Sequence, residues 1–433
     1  MIRTTLLATL LFSQFAFTQD AATFRGNPEH TGVYNASGVP KFSRINWKFH
    51  TGGRVFSSPA VAAGTAFVGS TDHNLYAVDL ATGSQKWKFE TGSRVTSSAA
   101  VAEGAVFFGS MDANFYALDA ATGKLRWKFK TGGEHRYTAT HLHGAMPEAE
   151  AMPDPFDFYL SSPAVVNGIV YFGSGDGNVY ALNASDGQLK WKYQTGDVVH
   201  ASPAVANGVV FVGSWDSYFY ALDAATGALK WKFKTGEDPK IHNQVGIQSS
   251  AAIVDGTVYF GCRDSNLYAV DAATGEKKWA YSNKGSWVIG SPAVQNGRVY
   301  FATSDSALFH ALDAKTGAPL YSLTFTWPMF SSPAIAGNML YMGTHEGKLQ
   351  AIDLSTQKPA WNFQTDASKE FGPQYTNAQG RPKYEAAFRD FFYDDVIVGV
   401  DRLLSVGAIL SSPVVGDGVI YFGSADGNLY AIE

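Results

Sequence analysis

Two contrasting patterns of apolar and polar residues recur along this chain. One is an unbroken apolar run, as in Val170-Tyr171-Phe172-Gly173; the other alternates strictly, as in Lys230-Trp231-Lys232-Phe233. A short unbroken run predicts a strand buried on both faces, and alternation predicts a strand with one face in solvent. Between them lies a third strand of the type Asn74-Leu75-Tyr76-Ala77-Val78-Asp79, which turns at Ala81-Thr82-Gly83. Ahead of each group stands a first strand that opens as Ser57-Ser58-Pro59-Ala60-Val61 does. Such strands end at pairs like Asn167-Gly168, Asn207-Gly208 and Asp255-Gly256, which tolerate the positive φ of tight hairpins.

The four-strand unit repeats. Its first motif occurs at Ser57, Ser97, Ser161, Ala201, Ser249, Gly290, Ser331 and Ser411, 40 or 41 residues apart where no insertion intervenes. That period is the size of one propeller blade, so the expected fold is all-β: an eight-bladed β-propeller of four-stranded antiparallel blades. The last copy stops at Ala431-Ile432-Glu433 without a fourth strand, while a spare one, Asn46-Trp47-Lys48-Phe49, precedes the first copy. The N-terminal strand is therefore expected to complete the last blade and close the ring, leaving no open sheet end. Lysines on the fourth strands suit outer edges, where charge discourages edge-to-edge pairing.

Composition narrows the class. The chain of 433 residues is 45% hydrophobic and 16% charged, with a net charge of −5, so no basic surface supports nucleic-acid binding. Arg3 followed by apolar Thr4–Phe17 reads as a secretory signal, with residues 1–22 removed and 23–433 forming the propeller. Cleavage before Gln19 and before Thr23 both remain open. Cys262 is the single cysteine and replaces the serine of a Gly-Ser pair such as Gly213-Ser214, so a buried small residue is expected there. The Asp72, Asp112, Asp176, Asp216, Asp264 and Asp426 turns supply one carboxylate per blade and read as turn residues, not calcium loops.

The segment Ala77-Val78-Asp79-Leu80-Ala81-Thr82-Gly83-Ser84-Gln85-Lys86-Trp87 resembles the tryptophan-docking motif A-x-D-x-x-T-G-x-x-x-W of pyrroloquinoline-quinone (PQQ) type propellers. It recurs at Ala117–Trp127, Ala221–Trp231 and Ala269–Trp279, with variants at Ala181–Trp191, Ala311–Tyr321 and Ala351–Trp361, the last with Gln357 in place of glycine. The resemblance implies that Trp47, Trp87, Trp127, Trp191, Trp231, Trp279 and Trp361 pack adjacent blades together. It also implies two kinds of function. Quinoprotein dehydrogenases hold PQQ with calcium over the channel mouth, and many carry a disulfide between adjacent cysteines that the lone Cys262 cannot form. The non-enzymatic kind is similar to the lipoprotein of the outer-membrane β-barrel assembly machinery, although no lipobox cysteine follows the signal here, so no membrane anchor is expected.

Three insertions break the rhythm, at 133–159, 237–247 and 366–408, all between a fourth strand and the next first strand and so on one rim. Loops gathered on a rigid scaffold are where binding function concentrates. His135, His141 and His143 in the first insertion, followed by Glu148, Glu150, Asp154 and Asp157, are metal candidates, since a His-x-His pair with carboxylates can ligate zinc or copper. The last insertion carries Phe388, Phe391, Phe392 and Tyr393, then Asp401-Arg402, either as a cap over the channel or as a partner site. Strand alternation places Phe56, Thr96, Leu160, His200, Gln248, Ile289, Phe330 and Leu410 around the channel mouth, with Arg54 and Arg94 just outside. This ring contains no carboxylate of its own, so His200 is read as lacking the acidic neighbour that a general base or a calcium–quinone site needs.

The expectation is a secreted or periplasmic monomer acting as a protein-interaction or ligand-binding scaffold, with envelope protein assembly as a candidate setting. Arg54, Phe56, Arg94, His200, Gln248, Phe330, Asp401 and Arg402 form its mouth and rim, and no catalytic residue or cofactor is predicted. Its partner is an envelope or secreted protein, or a small ligand at the mouth. The alternative is a PQQ- and calcium-dependent oxidoreductase acting on alcohols or sugars.

Overall fold

The computed structural model describes residues 21–236 and 245–433; the signal segment up to Asp20 and most of the 237–247 insertion lie outside the described residues. Eight antiparallel four-stranded sheets form the ring. Blade 1 runs Ala60–Ala62, Thr65–Gly69, Asn74–Asp79 and Gln85–Glu90, and each later copy follows the same order outward from the axis. In blade 8 the strand Ile45–His50 pairs antiparallel with Asn428–Ile432, with Trp47 opposite Ala431. The N-terminal strand thus closes the ring, and an ion pair of Arg44 with Glu433 at 2.7 Å extends the seam.

Burial follows the sequence pattern. Thr65–Gly69 is buried throughout, because neighbouring blades cover both faces of each sheet, whereas Gln85–Glu90 alternates exposed with half-buried positions. The indole N–H of each fourth-strand tryptophan donates to a carbonyl beyond its own blade: Trp47 to Leu80 at 2.8 Å, Trp87 to Ala120 at 3.1 Å, Trp127 to Ala184 at 3.0 Å, and Trp279 to Ala314 at 3.0 Å. Trp191 and Trp231 do the same toward Ala224 and Ala272, and Trp361 reaches Val39. The turn aspartates do more than bond within their turns. Asp72 accepts from Asn74 N, but also from Tyr76 Oη at 2.8 Å and from Gly52 N at 2.7 Å on the incoming crossing.

At the axis the blades are joined by a closed circle of serines. The amide of Ser58 donates to Ser98 Oγ, Ser98 to Ser162, Ser162 to Ser202, and Ser202 to Ser250. Ser250 continues to Ser291, Ser291 to Ser332, Ser332 to Ser412, and Ser412 returns to Ser58. These serines border an axial cavity of about 40 Å³.

A feature the sequence reading did not anticipate closes the channel opposite the insertions. Ala21–Tyr34 lies across the inner strands, accepting from Val61 and Val101 through Ala21 O and Ala22 O, then from Val205, Ile253, Val294 and Ile335 farther round the ring. Val33–Tyr34 adds a parallel strand to the seventh blade. Buried Arg25 donates to Pro292 O and Pro333 O, and Phe24 projects into the axial cavity. Ala21 and Ala22 therefore belong to the folded ring, although the expected signal segment includes them.

Among the described residues no helix is long and apolar enough to cross a membrane. The 366–408 insertion folds as α1 (Asp366–Tyr375), α2 (Tyr384–Ala387) and α3 (Tyr393–Leu404). Thr365 caps α1 by accepting from Ser368 N. Asp394 and Asp395 in the first turn of α3, with Arg402 in its last, complement the helix dipole.

Candidate functional site

The two insertions that the structure describes fully meet over the channel mouth. Met146 pairs with Phe392 through backbone bonds, Met146 N to Phe391 O and Tyr393 N to Met146 O, and Tyr393 Oη donates to Pro153 O at 2.6 Å. Beneath them the mouth ring is where alternation put it: Thr96, Leu160, His200, Gln248, Ile289, Phe330 and Leu410 border the axial cavity. Their predecessors Val55, Val95, Val199, Ile247 and Val288 are fully buried between blades. Phe56, Ile289, Phe330 and Leu410 pack with Phe158, Trp287, Val400 and Leu404, so side chains of both insertions fill the mouth over the axis.

The expectation that His200 lacks an acidic neighbour is corrected by the first insertion. His200 Nδ1 lies 2.8 Å from Asp157 Oδ1, and Nε2 lies 2.9 Å from Glu134 Oε1. The ring alone has no carboxylate; the insertion carries two down to it. Burial by itself would push the imidazole's pKa down. The Asp157 charge and the hydrogen bonds to Asp157 and Glu134 outweigh burial and raise it to about 10. His200 is therefore an imidazolium clamped between two carboxylates, not a neutral base. Asp157 Oδ2 also accepts from Tyr137 N at 2.9 Å, which fixes the insertion backbone.

A second buried pair holds the far end of the same insertion. Arg263 Nη1 donates to Asp154 Oδ2 at 2.6 Å and Nη2 to Gln248 Oε1 at 2.9 Å. Its guanidinium lies 4.3 Å from the ring centres of both Trp215 and Trp287, a double cation–π sandwich. Burial would raise the Asp154 carboxyl, but Arg263 and then His143 hold it well below the usual range. Gln248, foreseen as a polar point of the mouth, also donates through Nε2 to Phe156 O. Arg263 and Glu134 escaped the sequence reading as site residues, and Asp154 entered it only as a carboxylate beside the candidate metal histidines. The one available signal was Arg263 itself, a charge where other second-strand turns carry uncharged residues such as Thr71, Met111, Gly175, Trp215 and Ala425.

The candidate metal set is not assembled. His143 bonds Asp154 at 3.4 Å and contacts Phe156 and Trp287, while His135 and His141 are exposed. Among the described residues no group of three or more histidine, cysteine or acidic side chains is placed to hold a metal ion. The reason is local: His141 and His143 adopt left-handed conformations in a tight turn, so their side chains do not share the face that an extended His-x-His would give them.

The remaining rim residues separate. Arg54 pairs with Asp401 at 2.6 Å, tying the first blade to α3. Arg402 points the other way, donating to Ala387 O and staying 3.5 Å from Asp395, so it braces the helices. Phe330 packs against His345 with ring centres 4.2 Å apart. Cys262 is buried against Gly246 O, and burial pushes its thiol pKa well up, as suits a small structural residue. Beside the axis, under α3, opens a cavity of about 690 Å³ bordered by Arg54, Phe56, Arg94, Arg136, Phe158 and Val400, among others.

A calcium-bound quinone over the axis needs free carboxylate and amide oxygens and an open mouth. Here Asp157 and Glu134 are committed to His200, Asp154 and Gln248 to Arg263, and aromatic side chains occupy the axis. The residues present do not fit that group.

Eight blades, six of whose junctions are bridged by indole-to-carbonyl bonds, define a propeller of the PQQ-like repeat class. A family model described as outer membrane protein assembly factor BamB matches residues 43–147, 148–286 and 282–382, and the chain belongs to that family. No curated protein matches it. Among solved structures it is similar to BamB from Moraxella catarrhalis, with 17% identity, 90% of this chain and 97% of that one covered, and a TM-score of 0.64. It is also similar to a europium-containing methanol dehydrogenase, with 14% identity, 96% and 98% covered, and a TM-score of 0.67. The quinohemoprotein alcohol dehydrogenase from Comamonas testosteroni gives 15% identity, 96% and 81% covered, and a TM-score of 0.70. At these identities the likeness is one of fold.

Proposed function

We propose that this protein is a periplasmic or secreted interaction scaffold whose insertion-bearing rim docks an envelope protein. One observation carries this reading. Where the two insertions meet, Phe391 is 72% exposed, Phe392 61% and Met146 42%, side by side on a rigid support. Large apolar side chains grouped in solvent mark interaction surfaces more often than they serve folding. The family description, an outer membrane assembly factor, supports an envelope protein as the partner class. The apolar Thr4–Phe17 segment after Arg3 supports export.

The test is site-specific photo-crosslinking in the native host, with the probe at Phe391 or Phe392 and a control probe at Lys232 on an outer strand. A discrete protein adduct at the first two positions and none at the third is expected. Equal adducts at all three positions, or none at any, would overturn the docking role. Fold neighbours that are quinoprotein dehydrogenases keep a second reading in view. Stoichiometric PQQ binding with calcium and alcohol-dependent dye reduction would replace the scaffold by an oxidoreductase, against the donor arrangement described above.

A further inference from the structure

The cavity of about 690 Å³ beside the axis has an unusual balance of charge for a chain with net charge −5. Its charged lining consists of Arg54, Arg94, Arg136 and the protonated His200 against Asp157 and Asp401. The two acids are already spent: Asp401 pairs with Arg54, and Asp157 with His200 and the Tyr137 amide. Among the described residues no carboxylate pairs with the guanidinium of Arg94 or Arg136. Arg94 is exposed and Arg136 half-buried, so both guanidiniums are open to a ligand entering from solvent, and guanidinium geometry favours planar or tetrahedral oxyanions.

The rest of the wall mixes Thr71, Ser93, Thr96, Tyr159 and Tyr393 with apolar side chains. Phe56 comes from the first blade, Phe158 from the first insertion, and Ile397 and Val400 from α3. The volume lies in the usual range for small-ligand pockets, and the combination of apolar walls with a few convergent polar groups is their usual chemistry. The geometry points to a binding site for a small organic anion, a carboxylate or phosphate carried on an apolar, ring-bearing body. The oxyanion lies toward Arg94 and Arg136, and the body lies between Phe158 and α3. Arg54 closes this side by holding Asp401, so the ligand and α3 share one wall. The site is separate from the Phe391–Phe392 platform and does not depend on the docking role.

Isothermal titration with four probes tests this: 2-naphthoate, 2-naphthyl phosphate, neutral 2-naphthalenemethanol and inorganic phosphate. At least one naphthyl anion is expected to bind at one site per chain, at least tenfold more tightly than the neutral alcohol and than inorganic phosphate. Whichever anion binds more tightly identifies the oxyanion. The double variant Arg94→Gln, Arg136→Gln should lose at least tenfold in affinity with an unchanged melting temperature, since both side chains lie at the surface of the cavity. Phe391→Ser with Phe392→Ser should bind the naphthyl anion as the parent does, which separates this site from the docking surface. Equal binding of the neutral alcohol, unchanged affinity in the double arginine variant, or binding of neither anion would overturn the proposal.

Discussion

The indole of Trp47 donates to the carbonyl of Leu80 at 2.8 Å, so the strand that closes the last blade also grips the first. The same indole lies against Gly83, where an added Cβ would come within 2.7 Å of the ring. Gly168 has nearly the same backbone, φ +72 against +69, but open space around its missing Cβ. Gly168→Ala should therefore cost only the backbone strain, about 1 kcal/mol, and Gly83→Ala clearly more. Trp47→Ala should cost about 3 kcal/mol. Denaturant unfolding of the three variants measures these differences.

The sixth and seventh blades show the same rule broken on both sides at once. Tyr321 replaces the tryptophan, and the residue at the facing turn position is Gln357, at φ +60, in place of glycine. Elsewhere the glycine exists because an indole lies on it, so a smaller ring and a restored Cβ belong together. Tyr321→Trp alone is expected to destabilise the protein and Gln357→Gly alone to leave a gap. The double variant should recover at least 1 kcal/mol relative to the sum of the two. A double-mutant cycle by thermal unfolding reads the coupling directly.

The charge network predicts how the first insertion responds to pH. The folded pKa of His200, about 10, lies above its ordinary value of 6.5. Its stabilisation is therefore complete below 6.5 and lost as pH rises through about 10. Asp154 behaves oppositely: its folded pKa is lowered, so its contribution is present above the usual carboxylate range and lost on acidification below it. Hydrogen exchange of the Tyr137 amide, which Asp157 accepts, should accelerate beyond its intrinsic pH dependence between those two values, and His200→Gln should abolish the alkaline component.

Arg263→Lys looks conservative, yet an ammonium cannot stack between two indoles while holding Asp154 and Gln248 together. Leaving that buried pair incomplete should cost about 3 kcal/mol, and the quenching of Trp215 and Trp287 fluorescence by the neighbouring cation should change with it.

The ring contacts of Ala21 and Ala22 bear on processing. Cleavage before Thr23 would remove both carbonyls that bind the first two blades. Intact-mass measurement of the exported protein is expected to show a chain beginning at Gln19, with both contacts retained.

The blades were legible because turn chemistry, strand alternation and the Trp–Gly spacing all repeat; one copy teaches the next. The mouth ring was legible for the same reason, since alternation around Val199 and His200 carries over to every blade. What surrounds His200 was not. Glu134 lies 66 residues away in sequence and Asp157 lies 43 away, in an insertion without period, so no spacing rule connects them. The His141-x-His143 pattern misled because it assumes extended backbone, and the chain turns there instead. The last insertion divides its aromatics between uses that composition cannot separate: Phe388 packs inward, while Phe391 and Phe392 face solvent.

The seam of the eighth blade has a consequence for how the molecule is made. His50 and Asn428 are neighbours across that seam yet lie 378 residues apart. During synthesis the Ile45–His50 strand emerges before any blade and finds its partner after all the others are complete. For most of that interval the nascent chain is an open arc with one unpaired edge at its trailing end and a waiting strand at its start. Pairing of Ile45–His50 with Asn428–Ile432 therefore converts a growing stack into a ring.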